Sequence, residues 1–168
     1  SYGAGTPSHS LGEMLNPAAG LKMVHIPYKG STPARQDVMG GTIPVYFDTV
    51  GGAITMLETG RVKALATSGP VPSPLLPKLP CFAQSGYKDV VATAWFAYYA
   101  PLKTPAAAVE TLRREFIRAV KAPAVQDLLL ANGMVPVGVG GDELVATMRE
   151  DSARWAAIMK ATNFQAND

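Results

Sequence analysis

Two stretches of the chain combine glycine, hydroxyl side chains and proline where a helix is expected to start. The first is Tyr2-Gly3-Ala4-Gly5-Thr6-Pro7-Ser8-His9 and the second is Tyr28-Lys29-Gly30-Ser31-Thr32-Pro33. Proline at the first helical position gives up an N–H that has no intrahelical partner, and a Ser or Thr before it caps the free amides. Those amides, with the helix dipole behind them, favour an anion. Two such starts one βα unit apart, both at the carboxyl ends of parallel strands, predict a grip on a small negatively charged molecule. Neither stretch is a nucleotide motif. Gly-Lys-Ser/Thr is missing, and Gly3-Ala4-Gly5 is only a fragment of the dinucleotide fingerprint.

Individual residues near these loops carry more than one reading. His9 lies in the first helical turn, where a neutral imidazole can donate to a carboxylate; packing is the commoner use of such a histidine. His25 falls within a strand and reads as structural. Two histidines without Cys or carboxylate partners at ligand spacing make no metal site, and no cofactor is implied. Lys29 either meets an anion or is a plain loop lysine. Asp48 closes the apolar run Val45-Tyr46-Phe47, where a carboxylate either orients a loop amide or meets a ligand amino or hydroxyl group. A competing reading is an α/β enzyme acting on a small organic acid, with His9 and Asp48 as acid–base groups. No nucleophile supports it further: there is no Gly-x-Ser-x-Gly elbow, Ser8 and Ser10 do not face His9, and Cys81 lacks a neighbouring base. A third reading is an interaction module without a ligand.

The elements that must position these residues alternate. Helices are predicted over residues 7–15, closed by Asn16-Pro17, over 33–39, closed by Gly40-Gly41, and from Gly51-Gly52 to Gly60. Strands are predicted over 22–28, 43–50 and 61–67. That alternation implies a doubly wound, mainly parallel sheet of the α/β class. Five prolines between Gly69 and Pro80 allow neither helix nor central strand, and an extended surface crossover is expected there. An aromatic strand over 89–99 follows, then helices over 105–122 and from Pro123 to Asn132-Gly133. A short strand over 135–139 precedes a last helix from Glu143 to about Thr162. The change in character near residue 90 marks a boundary, with residues 1–90 as one lobe and 91–168 as a strand and helices crossing out of it.

Composition narrows the function classes. The chain has 168 residues, 48% of them hydrophobic and 17% charged, which is enough for a real core. A net charge of +2 without a Lys/Arg run argues against nucleic acid. The single cysteine forms no intrachain disulfide, and no apolar run approaches the roughly 20 residues that span a bilayer. Ser1-Tyr2-Gly3 reads as the end of a core strand, so the chain is expected to be the later part of a longer protein whose targeting segment lies elsewhere.

Several motifs occur together in a fixed order: Tyr2-Gly3-Ala4-Gly5-Thr6-Pro7-Ser8-His9, Val24-His25-Ile26-Pro27-Tyr28-Lys29-Gly30, Phe47-Asp48, Ala64-Leu65-Ala66, Trp95-Phe96, Ala100-Pro101, Thr104-Pro105 and Arg154-Trp155. This set resembles the periplasmic solute receptors of the tripartite tricarboxylate transporters, the Bug or TctC family. The resemblance covers the whole chain. It implies a two-lobed fold of the periplasmic binding protein type II kind, with residues 1–90 as lobe two and 91–168 returning to lobe one. It implies no enzyme activity and a periplasmic location in a Gram-negative bacterium. The partners it implies are a small organic acid or acidic amino acid and the subunits of a membrane transporter, and a piece of such a receptor is expected to self-associate. Carried over motif by motif, the ligand residues are Thr6, Ser8, His9, Lys29, Gly30, Ser31, Thr32 and Asp48. The first loop is shorter than the family's Gly-Asn/Thr-Gly-Ser form.

Overall fold

The structure is a computed structural model and describes residues 1–161. The expected end of the last helix at Thr162 lies outside them. Six α-helices occur among the described residues: α1 (Pro7–Ala18), α2 (Ser31–Met39), α3 (Val50–Glu58), α4 (Ala106–Val120), α5 (Pro123–Ala131) and α6 (Asp142–Ala161). A short 3-10 helix spans Phe82–Ser85. The chain divides into two compact units.

The first unit holds residues 1–94 and the end of α6 from Ala157. Burial alternates residue by residue over 22–26 and 61–66, which is the signature of extended backbone. The pairing present is parallel. Ser1 N donates to Ile26 O at 3.0 Å and Tyr28 N donates to Ser1 O at 3.0 Å, while Thr67 bridges Cys81 in parallel sense. The strands expected over 22–28, 43–50, 61–67, 89–99 and 135–139 are not formed as a ladder among the described residues: Val50 already opens α3, and the other segments carry too few inter-segment bonds to make a sheet. Their outward apolar residues stay exposed, with Val24 at 85% and Leu65 at 68%. The core of this unit is made of Leu11, Ala34, Ile43, Met56, Cys81, Val90 and Ala92.

Three local features differ from the sequence expectation. Helix α1 continues through Pro17 to Ala18. Pro17 lies in the last turn, where its missing N–H removes one bond, and Ala19 N to Leu15 O (2.9 Å) and Leu21 N to Asn16 O (2.8 Å) complete the end. Helix α2 begins at Ser31, two residues before Pro33, because Gly30 at φ 106° and ψ 175° serves as its N-cap. The proline-rich segment is a run of turns rather than an extended crossover. Bonds from Leu76 N to Ser73 O and from Leu79 N to Leu76 O fold it back, so that Cys81 arrives beside Thr67.

The second unit spans Trp95–Ala156. Helix α4 packs on α5, and Tyr98 stacks on Phe116 with ring centroids 4.7 Å apart. Trp95 Nε1 and Arg154 both donate to the Asp151 carboxylate, which is buried. Phe96 points outward at 86% exposure.

Ala34 is fully buried on α2, so the helix that carries the second loop has no room for a larger side chain. Ala34→Leu should lower stability by about 1–3 kcal/mol in urea denaturation. An unchanged midpoint would show that the contact under α2 is slack.

Candidate functional site

The two glycine-hydroxyl loops meet in the first unit. Gly30 N donates to Tyr2 O at 3.2 Å, continuing the parallel bonds between Ser1 and residues 26–28. Gly3, at φ 156°, lies with its would-be Cβ 3.9 Å from the Tyr28 carbonyl oxygen. The starts of α1 and α2 are thereby tied together by backbone.

The hydroxyls do not cap these helices as the sequence reading expects. Thr6 is the N-cap of α1, but its Oγ1 donates to Gly3 O at 2.6 Å and accepts nothing from the helix. Helix α2 has glycine at its N-cap and no side-chain cap at all. The Thr6 hydroxyl is turned to the Gly3 carbonyl and away from the helix amides. Of α1, α2 and α3, only α3 has a side-chain cap, with Thr49 Oγ1 accepting from Gly52 N at 3.3 Å. Ser31 is half-buried, while Lys29, Gly30 and Thr32 are exposed.

Ser8 is turned inward. It is 3% exposed and donates from Oγ to Phe47 O at 2.5 Å, which fastens α1 to the segment entering α3. Its amide faces the Tyr2 hydroxyl. The Tyr2 phenol is pushed up by burial, partly offset by that amide, with the Asp48 charge adding to the rise.

Asp48 is engaged within the chain. Arg35 grips it with both fork positions, Nε to Oδ2 at 2.6 Å and Nη2 to Oδ1 at 3.1 Å. The Thr49 amide donates to Oδ1 at 2.8 Å, and the Tyr46 hydroxyl lies 3.5 Å from the same oxygen. The Asp48 side chain is 3% exposed. Burial raises the Tyr46 phenol first, and the Asp48 charge raises it further. Hydrogen bonding to Asp48 raises Arg35. Arg35 escaped the sequence reading because it sits inside a helix rather than in a loop. Its spacing of four from Ser31, which puts both on one helix face, was the available signal.

His9 and His25, assigned different roles from sequence, form one pair. Their rings stack with centroids 3.5 Å apart and 11° between planes. His9 Nδ1 accepts from Gly5 N at 3.3 Å, and Nε2 lies 3.6 Å from Glu13. His25 Nε2 lies 2.6 Å from Ser1 Oγ. Burial lowers both imidazoles. For His25 the positive charge of a protonated His9 and of the chain terminus add to it, bringing the pKa from 6.5 to about 4. Among the described residues no group of His, Cys, Asp and Glu could hold a metal ion.

The histidine pair makes the fold acid-sensitive. The unfolded chain takes up a proton at His25 near 6.5, before the folded chain does near about 4. The stability from neutral His25 is therefore complete above pH 6.5 and falls as pH drops toward about 4. His25→Gln should flatten that slope in urea titrations. An NMR midpoint for His25 close to 6.5 would contradict the stack as described.

Comparison with known proteins places the chain. It matches the tripartite tricarboxylate transporter family receptor (TctC) over residues 1–164. It is 30% identical to protein BugT of Bordetella pertussis over 158 residues, covering 94% of this chain and 48% of that protein. A UPF0065 protein from the clcB–clcD intergenic region of Pseudomonas knackmussii is 29% identical over 167 residues, 99% of each. The chain thus spans about half of BugT and nearly all of the second relative. Among solved structures, R. palustris Rpa4515 with adipate superposes with TM-score 0.88 at 25% identity, covering 95% of this chain and 54% of that one. Periplasmic binding protein BugD superposes with TM-score 0.82 at 29% identity, covering 94% and 54%. The α/β fold expected from the sequence is borne out as the fold of these periplasmic binding proteins. The family is one of solute receptors rather than enzymes, and no helix among the described residues is long and apolar enough to cross a membrane. The chain belongs to the receptor family of the tripartite tricarboxylate transporters.

Proposed function

We propose that this chain supplies the anion-gripping part of a periplasmic receptor that captures a small carboxylate and passes it to a tripartite tricarboxylate-type membrane transporter. The observation that carries this reading is the pair of helix starts without side-chain caps, α1 and α2, bound to each other through Gly30 N and Tyr2 O. The first amides of a helix have no intrahelical acceptor, and an anion there gains typically 0.3–1 kcal/mol from the dipole at an exposed site. A carboxylate seated on the Ser31 and Thr32 amides would satisfy donors that no side chain caps. Thr6, Ser8 and His9 shape the first loop, Lys29 adds positive charge, and Gly30 lets the backbone approach closely. Asp48 contributes by orienting the start of α3 rather than by touching the ligand. The adipate in the superposed Rpa4515 structure supports a dicarboxylate as ligand class. Residues 1–90 are proposed as lobe two of the receptor, and 91–168 as the part returning to lobe one.

Adipate titrated into the 15N-labelled chain tests the site directly. The amides of Ser8, Ser31, Thr32 and Ala34 should shift together, with a dissociation constant in the millimolar range or weaker. Shifts confined to the second unit, or none at tens of millimolar adipate, would overturn the assignment.

A further inference from the structure

The proposed carboxylate site has a charge in the wrong place. Asp48 is an anion 3% exposed, one residue before the N-cap of α3 and one after the carbonyl that holds Ser8 of α1. Left alone, it would oppose a second carboxylate at the neighbouring helix starts. Its field reaches the first loop, since it raises the Tyr2 phenol that faces the Ser8 amide.

The structure meets this with a built device. Arg35 lies on the Ser31 face of α2 and binds Asp48 in a two-pronged fork, the strong form of a charge-assisted hydrogen bond. Space for the fork comes from α3. A Cβ at Gly52 would stand 1.9 Å from Arg35 Nη2 and 2.5 Å from Asp48 Oδ2. Gly52 is therefore required by room and not by backbone angle. Three elements converge on one pair of charges, which exceeds what surface helix stability asks of an Arg–Asp contact.

We propose that Arg35 is a positioning residue of the carboxylate site, cancelling the Asp48 charge so that an anion can approach α1 and α2 while locking the start of α3 against α2. This rests on the carboxylate reading given above, and it goes beyond that reading by making a residue that need not touch the ligand a determinant of its charge. Asp48 offers no free charge to a cationic group on the ligand for the same reason, because it is already paired.

The test uses the 168-residue chain with Arg35→Met, Arg35→Lys, and Arg35→Met combined with Asp48→Asn. Adipate affinity is followed by NMR at neutral pH, and amide hydrogen exchange at residues 50–53 is followed without ligand. Arg35→Met should weaken adipate at least about tenfold, or about 1.4 kcal/mol. Adding Asp48→Asn should recover most of that loss, as should Arg35→Lys, which keeps the charge but not the fork. A residue that only filled space or clamped helices would not be rescued by deleting the partner's charge. Exchange at residues 50–53 should rise in Arg35→Met, with residues 11–15 of α1 unchanged. A double variant as weak as Arg35→Met overturns the charge-cancelling role. Unchanged exchange overturns the locking role, and that arm still decides if the wild-type chain fails to bind adipate, an outcome that would refute the carboxylate reading instead.

Discussion

A buried carboxylate governs the architecture of the first unit. Moving an ion such as Asp48 out of water is costly unless it is paired and fully hydrogen-bonded. Four groups meet that demand: the two fork positions of Arg35, the Thr49 amide and the Tyr46 hydroxyl. Meeting it fixes much else. Arg35 must project from α2, so α2 must lie beside the segment entering α3. Gly52 must lack a side chain, so α3 must pass directly under the pair. Ser8 is held at the preceding carbonyl, which brings in α1. The three helix starts are arranged around a single compensated charge.

Much of this order was legible in the sequence. Glycine and proline punctuation located the helices to within a few residues, and apolar runs between them located the extended segments. The family motifs gave the fold. What escaped was set by contacts across the chain. Whether a threonine caps its helix depends on which way its hydroxyl is turned, and at Thr6 it is turned to the Gly3 carbonyl. The start of α2 moved to Ser31 because Gly30 could take a backbone angle that no other residue adopts cheaply. His9 and His25 are sixteen residues apart, and nothing in either neighbourhood announces that their rings stack. Arg35 looked like an ordinary helix charge because its partner lies thirteen positions away.

The pairing of Asp48 also separates two uses of a strand-end carboxylate. Such a residue serves either as a ligand contact or as an internal brace. Here both oxygens are engaged within the chain, which makes Asp48 an internal brace for the backbone around it. On the proposed carboxylate reading, specificity for an anion would depend on removing a repulsion as much as on adding an attraction.

The alternating exposure of the extended segments has a consequence for the chain in solution. Residues 22–26 and 61–66 turn apolar side chains outward, and Val24 and Leu65 are the most exposed of them. Exposed apolar residues on extended backbone favour pairing with other strands. Each segment also carries an exposed lysine two residues before its outward apolar residue, Lys22 before Val24 and Lys63 before Leu65. Alternation puts lysine and apolar residue on the same face of the strand. A charge beside an exposed apolar residue works against pairing of like strands in register.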